Sequence, residues 1–155
     1  MSFSSIFSLH PVEKLISNFQ YYTRIQKLIN VLFQKGRSDD VIIGMEFICS
    51  DGSVYGPFGG SGGSPWVSAH PGCVLSYISG ASGQFVDSIS FHYLCEDEDD
   101  NDLIRNTEET STIEDGPFGG SGGISWTDGT GVHLNGNVTA IAIRSDDEID
   151  AIRVR

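Results

Sequence analysis

The stretch Gly56-Pro57-Phe58-Gly59-Gly60-Ser61-Gly62-Gly63 returns unchanged as Gly116-Pro117-Phe118-Gly119-Gly120-Ser121-Gly122-Gly123. The copies start 60 residues apart, and each is followed at the same offset by a tryptophan, Trp66 or Trp126. Eight identical residues mark two related units. A phosphate-binding loop of the GxxxxGK[ST] type is excluded, because no lysine follows Lys35. A dinucleotide fingerprint would have to lie between a strand and a helix, whereas these blocks lie between β-like runs. Two roles stay open for the glycines. They can make a tight bend at a sheet corner, or let bare backbone approach a ligand closely.

Outward from the repeat the chain reads as β structure. Val41, Ile43, Met45, Phe47 and Cys49 alternate, and Asp51-Gly52 reads as a hairpin turn. Cys73–Ser79, Phe85–Tyr93, Val138–Ile143 and Glu148–Arg155 behave in the same way. Such spacing predicts an all-β sandwich, barrel or prism. Residues 40–155 are read as one β domain in two repeat units, 40–95 and 113–155, joined by an acidic loop, 96–112. Within that loop Asp97, Asp99, Asn101, Ile104 and Glu108 match EF-hand spacing. Asp102, however, stands where that turn needs glycine, and the flanks are β-branched or aromatic. No metal site is predicted, and the loop reads as a solvated linker.

Residues 1–38 differ in character and hold five of the nine basic residues. After Pro11, residues Val12, Leu15, Ile16, Phe19, Tyr22, Ile25, Leu28, Ile29 and Leu32 recur at three and four. That spacing predicts an amphipathic α-helix ending at Gly36. Lys14, Arg24, Lys27 and Lys35 would allow membrane-surface contact. The poorly segregated polar face, with Asn18 and Tyr21, favours packing on the rest of the protein or on a second copy. A broad apolar stripe on such a helix predicts a homo-oligomer, most simply a two-fold dimer.

The formal charge of −12 argues against nucleic-acid phosphate as partner. Sixteen aromatic residues argue against a disordered acidic chain. No signal peptide is seen, which predicts a cytoplasmic or non-classically secreted protein. Cys49, Cys73 and Cys95 have no zinc spacing, and their odd number predicts reduced thiols buried on strands. His10, His70, His92 and His133 are scattered, and Ser61 and Ser121 lack a nucleophile-elbow pattern. No catalytic residues and no cofactor are predicted.

At these residues the chain resembles the jacalin-related lectins. Gly116–Arg155 is similar to the opening of that domain, including the run Val-Thr-Ala-Ile-Ala-Ile-Arg-Ser-Asp-Asp-Glu-Ile-Asp-Ala-Ile-Arg-Val. Gly44–Tyr93 is similar to its closing portion, with Gly80-Ala81-Ser82-Gly83-Gln84-Phe85-Val86-Asp87-Ser88-Ile89-Ser90-Phe91 matching the final GxSGxxxDxIxF run. Together these cover 90 of the 155 residues. The resemblance implies a mainly β fold, a jacalin-like β-prism of three four-stranded sheets with first and last strands neighbouring. Because the closing motif precedes the opening one, the prism is expected to be partial or permuted, with the N-terminal helix added.

The resemblance also implies a shallow carbohydrate site. Carried over, its residues are Gly83, Gln84, Phe85, Val86 and Asp87, with Gly119 and Gly120 from the second block and Gly59 and Gly60 as alternatives. A carboxylate accepts hydroxyl hydrogen bonds, and backbone N–H groups donate to sugar oxygens. The Asp147–Asp150 stretch lacks the preceding glycine and is expected to hold no second site. The expected function is non-catalytic binding of mannose- or galactose-type mono- or oligosaccharides and glycoproteins. The alternative is a structural, oligomeric interaction protein with a vestigial sugar site.

Overall fold

The structure, a computed structural model, describes residues 22–26, 31–96, 110–128, 138 and 140–154. Eleven strands are described: β1 Tyr22–Gln26, β2 Val31–Ser38, β3 Ile42–Cys49, β4 Val54–Gly59, β5 Ser64–Ala69, β6 Cys73–Ser82, β7 Val86–Glu96, β8 Thr110–Gly119, β9 Ile124–Thr127, β10 Ala140–Ser145 and β11 Ile149–Val154. They form three antiparallel sheets, ordered β1-β10-β11, β4-β3-β2-β5 and β8-β7-β6-β9. Strands from both ends of the described chain thus share one sheet, while each four-stranded sheet uses four consecutive strands.

The helix expected up to Gly36 is corrected where the chain is described: Tyr22–Gln26 and Val31–Ser38 are strands. The three-and-four spacing of their apolar residues was overridden by the pairing available to them. β2 is an inner strand, hydrogen-bonded to both β3 and β5. From Gln34 onward its buried residues are the polar Gln34 and Ser38, so apolar periodicity carries no strand signal in that part. The rest of the expected helix and the acidic stretch 97–109 lie outside the described residues.

Gly36 shows why such a residue occupies an inner strand. It is the cross-strand partner of Trp66, and a β-carbon there would run into the indole ring and the Gly44 carbonyl. The second unit repeats the device, with Gly80 opposite Trp126. The repeated tryptophans therefore cover bare backbone on the neighbouring strand. Trp66 also stacks on Phe118 from the adjoining sheet, with ring centroids 4.6 Å apart.

The core between the sheets holds Ile42, Met45, Phe47, Ile78, Ile89, Phe91, Ile141, Ile143 and Ile149. The alternation read from Val41 to Cys49 holds only in part. Ile42 and Gly44 are buried first, then Met45, Phe47 and Cys49. This change of phase adjoins an irregularity in the β3–β4 ladder between Met45 and Phe47. β7 repeats it: Val86 is buried, Asp87 half-buried, and Ile89, Phe91 and Tyr93 buried.

One polar network crosses the core. The Tyr93 hydroxyl donates to Gln34 Oε1 and bonds Ser68 Oγ at 2.6 Å. Burial pushes the Tyr93 phenol up to about 12, although both hydrogen bonds work in the opposite direction. Because the folded value lies above the unfolded one, this contribution to stability is present at neutral pH. It is lost as pH rises from about 10 toward 12. Tyr93→Phe should cost about 1–3 kcal/mol, because Gln34 is left buried without its donor. Urea unfolding of the two proteins would measure this, and an unchanged midpoint would refute it.

The expectation of three reduced thiols is also corrected. Cys73 and Cys95 stand directly opposite on β6 and β7, with Cα atoms 4.2 Å apart, and form a disulfide. Counting cysteines could not reveal this, because cross-strand register chose the pair and left Cys49 alone. Cys49 is buried, and its thiol is pushed up by desolvation and then by the Asp51 charge.

Candidate carbohydrate site

Three hairpins carry the same turn at one end of their sheets. In β2–β3 the Asp39 N–H donates to Val41 O, in β6–β7 Gly83 donates to Phe85 O, and in β10–β11 Asp146 donates to Glu148 O. The closing pairs are Ser38–Ile42, Ser82–Val86 and Ser145–Ile149. Register therefore makes Ile43, Asp87 and Asp150 equivalent positions, each just after its turn.

Against two of these positions lies a glycine block. The Gly60 N–H donates to Ile43 O at 2.9 Å, and the Gly120 N–H donates to Asp87 O at 2.8 Å. Both blocks share positive φ at matching glycines, 77° and 76° at Gly59 and Gly63, 105° and 78° at Gly119 and Gly123. Each block also braces a neighbouring sheet. A β-carbon at Gly60 would strike the Asp147 carbonyl, and one at Gly120 would strike that of Asp40. The identical octapeptides thus make identical corners.

What faces the two corners differs. In the second, a β-carbon at Gly122 would come within 2.6 Å of Asp87 Oδ1, and one at Gly123 within 2.5 Å of Oδ2. Gly83 stands 3.7 Å from Oδ2 by the same measure. The carboxylate is held in a cradle that only glycines leave open. Its Oδ2 is buried and has no hydrogen-bond partner among the described residues. In the first corner Ile43 takes this place, and the Arg37 guanidinium donates to the carbonyls of Gly62 at 2.9 Å and Gly63 at 2.6 Å. That block is tied down by a side chain and faces an apolar one.

Of the residues expected from sequence, the structure brings together Gly83, Asp87, Gly119 and Gly120. Gln84 is exposed at the turn and Phe85 is half-buried. At 1% exposure the Val86 side chain lies in the core. The alternative pair Gly59 and Gly60 faces Ile43. Asp150 lies 3.5 Å from Arg144, with no glycine cradle against its carboxylate among the described residues. Sequence reasoning missed Gly122 and Gly123, although they sit in the repeat it singled out. It also missed Asp40, whose place behind Gly120 is set by the contact between two sheets. Ile124, 81% exposed immediately after Gly123, is a further neighbour.

The described histidines are engaged elsewhere. His70 Nε2 lies 3.2 Å from Asp115 Oδ2, and His92 Nε2 lies 2.7 Å from Ser79 Oγ. Burial pulls the His92 imidazole down, partly offset by the Glu114 charge. Among the described residues no group of three or more His, Cys, Asp or Glu is placed to hold a metal.

Three antiparallel β-sheets packed around one core are the fold of the jacalin-related lectins, and comparison with solved structures agrees. The structure matches the mannose-binding jacalin-related lectin of Ananas comosus with a TM-score of 0.59, covering 86% of this chain and 95% of that one at 20% identity. In sequence the chain is 30% identical over 110 residues to an agglutinin of Castanea crenata, covering 71% of this chain and 34% of that protein. It is 38% identical over 87 residues to the zymogen granule membrane protein 16 of Mus musculus, covering 55% and 42%. The chain thus spans less than half the length of these relatives. No family model matches it.

Proposed function

We propose that the chain is a non-catalytic carbohydrate-binding lectin module, with its site between the β6–β7 turn and the second glycine block. The observation that carries this reading is the Asp87 carboxylate cradled by the exposed Gly122 and Gly123, beside the exposed turn residues Gly83 and Gln84. A carboxylate accepts from sugar hydroxyls, and the Gln84 and Phe85 N–H groups would donate to sugar oxygens. The Ananas comosus lectin is described as mannose-binding, which makes mannose the first sugar to try and galactose the second. A single shallow site binds weakly, so a homo-oligomer presenting several copies would supply avidity. The Cys73–Cys95 disulfide favours an oxidising compartment, and so secretion over the cytoplasm. Calorimetric titration of the intact chain with mannose, galactose and their oligosaccharides tests the proposal. Saturable binding supports it, and absence of heat with every sugar favours the structural, oligomeric alternative.

A further inference from the structure

Resting on that reading, we propose that the site is a charge filter. It accepts neutral glycans and rejects the same glycans carrying a carboxylate, sulfate or phosphate. The charged residues set against the second glycine block are acidic and come from two different sheets. Asp87 holds one side of the block. At the other, the β2–β3 turn presses Asp40 behind Gly120, its Cα 2.9 Å from where a β-carbon of that glycine would stand. Asp39 and Asp40 are both exposed.

Three of the described basic residues are engaged elsewhere. Arg37, on the matching strand of the first unit, is spent on the Gly62 and Gly63 carbonyls. The register-equivalent residue in the second unit is Ala81, opposite Ser125 and Ser88 as Arg37 is opposite Pro65 and Gly44. The unit that carries the carboxylate is therefore the one that lacks the arginine. Lys35 lies 2.7 Å from Glu46, and Arg144 lies beside Asp150. An anionic substituent brought to this block would approach the Asp87 carboxylate and the turn that carries Asp39 and Asp40, within a chain whose formal charge is −12. Like-charge contacts of this kind discriminate between ligands that are otherwise equal.

The test is titration of the intact chain with its best neutral sugar, the sulfated or phosphorylated form of that sugar, and its O-methyl form as a neutral control for bulk. At about 0.02 M salt the anionic form should bind at least about threefold more weakly than the O-methyl form, and the gap should narrow at about 0.5 M salt. Asp39→Asn combined with Asp40→Asn should move the anionic-to-neutral affinity ratio toward one. Equal affinity of the anionic and O-methyl forms at low salt overturns the filter while leaving the lectin reading intact. So does a gap that neither salt nor the double variant alters. Failure of every neutral sugar to bind overturns the lectin reading, and the filter with it.

Discussion

Asp87→Ala is expected to weaken sugar binding by about 10- to 100-fold. Hydrogen bonds to a charged acceptor contribute about 1.5–3 kcal/mol, and about 1.4 kcal/mol is a factor of ten. The cradle makes this loss specific. Asp87 is half-buried, its backbone stays bonded to Gly120 whatever its side chain, and neighbouring Val86 keeps its place in the core. The fold should therefore survive, and a melting curve alongside the titration would verify it. Asp87→Asn preserves shape, yet replaces one acceptor oxygen by a donor amide and should lose most of the affinity. Unchanged affinity in Asp87→Ala would place the site elsewhere.

A second expected result uses the repeat against itself. Gly62→Ala and Gly122→Ala alter the same position of an identical octapeptide, and neither glycine has positive φ. A β-carbon at Gly62 meets nothing nearer than Ile43 Cδ1 at 4.0 Å, whereas at Gly122 it lies 2.6 Å from Asp87 Oδ1. Gly122→Ala must push the carboxylate aside and should reduce binding at least about tenfold, approaching the loss of the acceptor itself. Gly62→Ala should leave affinity within about twofold, since it adds only an ordinary van der Waals contact. Calorimetry on the two variants, with thermal melts for folding, would check both. Equal losses would mean that the second corner is no more a binding site than the first.

The N-terminal region shows how far periodicity can mislead. Apolar residues at three and four promised a helix, but from Gln34 onward β2 places Gln34 and Gly36 against residues distant in sequence. Tyr93 reaches Gln34 across the core, and Trp66 fills the space over Gly36. The turn and the glycine corner also recur in more than one sheet, a repetition set by matching cross-strand register. Cross-strand register likewise chose Cys73 and Cys95 from three cysteines that composition could not distinguish.

Residue order alone established the β character from residue 41 onward, the repeated glycine block and the candidacy of Gly83–Asp87. These are local properties, carried by alternation, turn residues and short-range spacing. It could not choose between two identical octapeptides, because nothing inside them differs. The choice was made by what each block meets after folding: Ile43 and Arg37 at the first, Asp87 and Asp40 at the second. Asp87 precedes Gly122 by 35 residues, and Asp40 by 82. Only the closure of three sheets around one core brings them to the same corner. A carboxylate set in a glycine cradle is a property of such a meeting, and no segment of the chain carries it alone.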